Sequence, residues 1–319
     1  MRGAFFMPFA KALIWLIPFI LWPACSFAAP WVIAHRGGNA CYPENTLLAF
    51  SEALQGGADA IELDVQVTAD GVVVVYHPAD LQGWTDGAGT VASKTWQEIS
   101  QLDAGYRYAP QRGYPFRGQG LKIPSLAEVL LRLPKAFLIL DLKALPADRL
   151  VQALVETISD EESERLAFYS TDSRHIECLE EAKPHWKTFE KRDVTRQRLL
   201  ELHFGKSSYA PTSGKWLGFE LKREMQVIEA LTLGEKGSSI EFQLWNPAVV
   251  KALRQHPGAF LILFGIETRE DWQRALELGV DAVYTNNPQQ LAFWKREMER
   301  QPSVGLPLTK VTSILVENE

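Results

Sequence analysis

The sequence predicts an α/β fold, a single TIM-like (β/α)8 barrel, on three observations. Short β-rich apolar runs alternate with stretches of helical periodicity along most of the chain, which implies parallel strands joined by helical crossovers. The number of such units suits a closed barrel better than an open doubly wound sheet. Polar residues capable of chemistry stand at the ends of several apolar runs, where a barrel places its active site. With 319 residues and 46% apolar composition the chain can bury one large core. No stretch rich in Pro, Gly or Ser divides it.

The first segment lies outside this pattern. Arg2 and Lys11 are followed by an uncharged apolar run and then by Ser26-Phe27-Ala28. That order is a secretory signal, residues 1–28, with cleavage after Ala28 or Ala29 and a barrel domain over 29–319. The protein is therefore expected to be exported, to a periplasm or to the medium. Two alternatives are an uncleaved anchor, since the apolar run is nearly long enough to span a bilayer, and lipoprotein processing at Cys25. Cys41 and Cys178 would remain; they permit one disulfide, and neither has zinc-ligand spacing. The net charge of −6 carries no long run of one sign, which argues against nucleic acid as the main partner. An anionic substrate would need a local cationic site.

In chain order, strands are expected at Trp31–Ala34, Ala60–Asp64, Phe137–Asp141, Leu166–Tyr169, Lys187–Glu190, Phe260–Phe264 and Ala282–Thr285. Trp216–Leu221 and Ile240–Leu244 both read as strands, and one of them is surplus to eight. Helical spacing covers Thr46–Gln55, Leu126–Leu133, Asp148–Ile158, Ser173–Ala182, Thr195–His203, Pro247–Gln255 and Arg269–Leu278. Between Asp64 and Val72 there is no room for a helix. Asp70-Gly71 therefore turns the chain back antiparallel and brings His77 roughly opposite Asp64.

Four strand ends hold the candidate chemistry. His35 and Arg36 follow WVIA, Glu62 and Asp64 lie in AIELD, His77 follows VVVVY, and Asp141 with Lys143 closes LILDLK. Glu62 and Asp64 are two apart, so both carboxylates point to one side of their strand. With Asp141 nearby they would repel one another unless a cation sat between them, and hard oxygen ligands suit Ca2+ or Mg2+. Solvated acids on an exposed face are the bland alternative. Two histidines beside such a cluster can divide the roles of base and acid. Arg36 and Lys143 could hold a phosphate, or simply pair with neighbouring acids such as Glu44. His175, His185, His203 and His256 are expected at the surface.

Read together, "HRGGNACYPENTLLAF", "GADAIELDVQVTADGVVVVYH", "IPSLAEVL", "LILDLK" and "LELGVDAVYTNNP" resemble the glycerophosphodiester phosphodiesterase family, from His35 to about Pro288. The stretch from Lys191 to Gly258 adds almost nothing. The resemblance implies a TIM-like barrel that hydrolyses glycerophosphodiesters to glycerol 3-phosphate and an alcohol with one divalent cation. It implies His35 and His77 as catalytic residues, Glu62, Asp64 and Asp141 as metal ligands, Arg36 and Lys143 as phosphate contacts, and Glu44 near the metal and Arg36. In related barrel phosphodiesterases a hydroxyl of the substrate attacks first and a cyclic phosphate forms.

Several positions depart from the family pattern: Pro78 follows His77, Asp141 replaces a glutamate, FGIET replaces the late WTVN, and Asn286 stands in the usual TD.P. The WTVN change is expected to remove an aromatic from the glycerol site. The alternative functions are a phosphodiesterase acting on lysophospholipid or phospholipid, with Tyr106, Tyr108, Tyr114 and Phe116 as an apolar rim, and a non-catalytic barrel that binds a phosphorylated ligand. Retention of both histidines argues against the last.

Overall fold

A computed structural model describes residues 29–206, 214–255 and 258–300. The expected signal segment, with Cys25, and the residue His256 lie outside the described residues. Ten strands are present: β1 (Trp31–Ala34), β2 (Ala60–Val67), β3 (Val73–Val75), β4 (Phe137–Leu142), β5 (Leu166–Tyr169), β6 (Trp216–Glu220), β7 (Arg223–Leu231), β8 (Gly234–Phe242), β9 (Phe260–Phe264) and β10 (Ala282–Thr285). The helices that follow them include α1 (Leu47–Gly56), α2 (Trp96–Ile99), α3 (Leu126–Arg132), α4 (Ala147–Thr157), α5 (Asp160–Ser163), α6 (Ser173–Ala182), α7 (Arg192–His203), α8 (Pro247–Leu253), α9 (Arg269–Leu278) and α10 (Pro288–Arg300).

Seven parallel strands form one curled sheet in the order β5-β4-β2-β1-β10-β9-β6. The gap between β5 and β6 is filled by Lys187–Glu190. That segment is extended but too short of pairing to be a full strand, since it makes only the parallel bridges Phe168↔Thr188 and Phe189↔Trp216. Bonds Phe189 N→Phe168 O and Glu190 N→Trp216 O, each 2.9 Å, complete the circuit. The ring thus has eight positions, as expected of a TIM-like barrel.

The surplus strand is resolved by the same geometry. Trp216–Glu220 enters the barrel beside β9, whereas Ile240–Leu244 contributes to an antiparallel hairpin of β7 and β8. The Asp70-Gly71 turn also returns the chain antiparallel, with β3 on β2. Its register differs by one residue from the expected one: Val65 pairs with Val75, so Tyr76, whose N–H donates to Asp64 O, lies opposite Asp64, and His77 follows it.

Strand parity determines what faces inward. Ile33, Ala60, Ile139, Ala167, Phe189, Trp216, Ile262 and Ala282 form the lower interior. Two residues further along the same strands come Glu62, Asp141, Tyr169, Phe264 and Tyr284, which line the upper cavity. The outward residues Ile61, Leu63, Leu138, Leu140 and Phe168 pack beneath the helices. On β6 the inward position is Gly218, where an added Cβ would meet the Phe264 ring at 2.4 Å. A side chain there would push Phe264 out of the barrel.

Candidate active site

The first βα connection turns sharply at His35–Gly37. Arg36 adopts left-handed backbone (φ +53), an unusual conformation for a residue with a Cβ. Gly37 also has positive φ, and a Cβ on it would strike Phe50 and Ala49 at 2.7 and 2.9 Å. The turn aims the Arg36 N–H at Glu62 Oε2 (2.8 Å) and its guanidinium at Glu44 (3.1 Å) and Asp64 (3.2 Å). Each residue of Glu44-Asn45-Thr46 then has a distinct task. Glu44 meets Arg36; Asn45 donates to Asp64 Oδ2 (2.8 Å) and accepts from the Asp64 N–H (3.1 Å); Thr46 caps α1 by accepting from Ala49 N.

Glu62, Asp64 and Asp141 converge as parity predicts. All three are buried, at 2%, 0% and 7% exposure, and each offers a carboxylate oxygen within 4.8 Å of the others. Asp64 and Asp141 are direct neighbours across the β2–β4 ladder. Burial, and next the Asp64 charge, pushes Glu62 up to about 8. Burial likewise pushes Asp141 up to about 8, against the downward pull of Lys143. Lys143 Nζ stands 2.5 Å from Asp141 and 3.4 Å from Asp64. Even so, Asp64 Oδ1 and Asp141 Oδ1 are buried and accept no hydrogen bond, the first facing only the Lys143 charge at 3.4 Å. Two orphaned carboxylate oxygens beside a third acid are a donor set that fits a hard divalent cation.

His35 lines a cavity of about 330 Å³ together with Arg36, Glu62, Asp141, Lys143 and Tyr169. Its Nδ1 lies 2.7 Å from Asn286 Oδ1, an acceptor, which places the ring proton on Nδ1 and leaves Nε2 as a lone pair 3.9 Å from Glu62. Burial, and next the Arg36 charge, lowers its pKa. His77 does not line this cavity. Its Nδ1 lies 3.9 Å from Glu44 Oε1, and burial lowers its pKa too. Its backbone is pinned by Gln66, whose Nε2 donates to the carbonyls of Tyr76 and Pro78 at 2.8 and 3.0 Å.

Residues 35–290 match the glycerophosphoryl diester phosphodiesterase family. The chain belongs to that family. Its relatives include the uncharacterized protein Rv2277c of Mycobacterium tuberculosis, 37% identical over 271 residues, which span 83% of this chain and 90% of the relative. The crystal structure of that protein's glycerophosphoryl diester phosphodiesterase domain superimposes with a TM-score of 0.76 at 36% identity, covering 84% of this chain and 99% of that one. A glycerophosphodiester phosphodiesterase of Caldanaerobacter subterraneus is 29% identical over 82% of this chain and 95% of its own. An Oleispira antarctica phosphodiesterase, solved with its product sn-glycerol-3-phosphate, shares the fold at a TM-score of 0.60 and 23% identity, over 83% of this chain and 97% of that one.

The chain is thus a phosphoric diester hydrolase by family, and the region that sequence left blank supplies part of its cavity. Arg192 and Glu220 form one wall as a 2.5 Å ion pair, with Arg192 also donating to the Tyr169 hydroxyl. Glu267 and Asn286 stand at the ends of β9 and β10, where the rule that found His35 and Asp141 would have found them. The expected loss of an aromatic in FGIET is corrected: Phe264 itself lines the cavity, its ring tilted 34° against that of Tyr284 at 4.5 Å. Trp84 gives no signal in sequence, yet its Nε1 donates to Glu44 Oε1 at 3.0 Å. The expectation for His175 is also corrected. It is buried at 1% exposure between Ser170 Oγ (2.9 Å) and Ala144 O (2.6 Å), a structural link from α6 to the neighbouring loop. Cys41 and Cys178 are free thiols.

Proposed function

We propose that this protein hydrolyses glycerophosphodiesters to glycerol 3-phosphate and an alcohol, with one divalent cation and a divided pair of histidines. The observation that carries the reading is that His35 lies 3.9 Å from Glu62 of the carboxylate cluster and His77 3.9 Å from Glu44, which Arg36 links to that cluster through Asp64. Glu62, Asp64 and Asp141 would hold the ion, Ca2+ or Mg2+, which when bound would polarise the phosphoryl group. Arg36 and Lys143, partly neutralised by those acids, orient the phosphate and offset charge developing on its oxygens.

His35 lines the cavity with Nε2 unprotonated, so it takes the proton from the attacking hydroxyl as the new O–P bond forms. His77, in its protonated form, gives a proton to the departing alkoxide as the old P–O bond breaks, and where the attacking hydroxyl is the substrate's own, water then opens the cyclic phosphate to glycerol 3-phosphate. Asp64 and then Glu44 favour that protonated state, against the burial that lowers the His77 pKa. Export, to a periplasm or to the medium, belongs to the same proposal and rests on Arg2, Lys11 and the apolar run before Ser26-Phe27-Ala28.

Turnover of glycerophosphocholine by the purified protein, with Ca2+, with Mg2+ and with chelator, tests the reading. We expect turnover with at least one ion, its loss on chelation, and a loss of roughly 10²-fold or more in His35→Ala and in His77→Ala. Absence of turnover with either ion would overturn the proposal.

A further inference from the structure

The segment Gly105–Lys122 stands apart from the rest of an acidic chain. It contains Arg107, Arg112, Arg117 and Lys122, four aromatic residues and no carboxylate, whereas the whole protein carries a net charge of −6. Among the described residues none of these four cations is ion-paired. Their partners are ring faces and backbone instead. The Arg117 guanidinium lies 4.2 Å from the Tyr106 ring centroid and 3.7 Å from that of Tyr114, and Arg112 lies 5.4 Å from that of Tyr108. The nearby Asp103 is occupied by backbone, accepting from Gly105 N and Gly118 N. Residues 110–113 and 117–120 are exposed.

The segment is held against the mouth of the barrel. The Tyr108 hydroxyl donates to Asn39 O at 3.0 Å, and Phe116 packs 6.1 Å from the Tyr42 ring, both in the connection that carries His35 and Glu44. A cationic surface backed by half-buried rings therefore stands next to the opening of the cavity.

We infer that this surface docks the enzyme on an anionic phospholipid bilayer. Four unneutralised cations complement such a surface, and amphipathic Arg and Tyr side chains suit the headgroup layer. A single-stranded nucleic acid would need open ring faces on which bases could stack. Here Arg117 already covers Tyr106 and Tyr114, which favours the bilayer.

Sedimentation of the full chain with phosphatidylcholine vesicles, and with vesicles containing phosphatidylglycerol, tests the inference. The ratio of the two partition coefficients removes any contribution of the apolar N-terminal segment that is common to both. We expect a ratio well above one that falls on adding salt. In Arg112→Gln/Arg117→Gln it should drop by about fivefold per arginine, with an unchanged melting temperature. A wild-type ratio near one, or a ratio the double variant does not lower, overturns the inference. So would loss of single-stranded RNA binding in the double variant with no anionic preference on vesicles.

Discussion

At the scale of single residues, the site depends on side chains that touch no substrate in this proposal but fix those that do. Trp84 reaches Glu44 from a loop forty residues on, and Glu44 in turn faces Arg36 and His77. Trp84→Phe keeps the ring and removes one hydrogen bond to a charged group. We expect roughly a tenfold fall in kcat with little change in melting temperature, since such bonds are worth about 1.5–3 kcal/mol. Equal kinetics in variant and wild type would show that the indole only packs. Asn286 sets the His35 tautomer without adding charge. Asn286→Asp would place a carboxylate against the ring and favour the imidazolium, so a base that must be neutral would be lost at higher pH. The acid limb of kcat/KM should move upward by about one unit, and a stationary or downward shift would contradict the role of base given to His35. The clustered acids and both histidines are legible in sequence because strand parity and strand ends decide their direction. Trp84 is not, because its contact depends on the path of a long irregular loop.

The elements repeat that lesson. Every barrel strand with a continuous apolar run was readable, whereas Lys187–Glu190 read as a strand and makes only bridges. Trp216–Leu221 and Ile240–Leu244 both read as strands because their composition is β-forming, but composition does not distinguish a parallel neighbour from a hairpin partner. The pairing of Arg223 with Phe242 through Leu231 with Gly234 decides it. That hairpin leaves β6 just after Glu220 and exposes Ile228, Leu233 and Ile240 at 62%, 99% and 41%. Its described side chains bury little, so it should add little to global stability. Excision of 224–241 with a short Gly-Ser linker between the paired Arg223 and Phe242 is expected to shift the melting temperature by no more than about 2 °C and to leave the barrel's circular dichroism intact. A cooperative loss of structure would mean that the hairpin braces the barrel.

Across the whole molecule, the carboxylate cluster links the site to folding. Glu62 and Asp141, pushed up to about 8 by burial, keep their protons in the folded chain where unfolded carboxyls have lost theirs, between about pH 4 and pH 8. The folded state then binds more protons than the unfolded one, so stability falls as pH rises through that window. A divalent cation held by the ionised cluster would reverse this, because it binds the folded state and displaces those protons. In chelator, we therefore expect the melting temperature to fall between pH 5 and pH 8. The rise on adding Ca2+ or Mg2+ should be larger at pH 8 than at pH 5. Other groups also titrate over this range, so the decisive comparison is Glu62→Gln/Asp141→Asn, in which both the pH slope due to the cluster and the response to the ion should be much reduced. A wild-type ion response that is equal at both pH values, or one retained by the double variant, would separate the acids from the metal. Glu62 and Asp141 would then be merely buried, protonated acids in the barrel's upper layer.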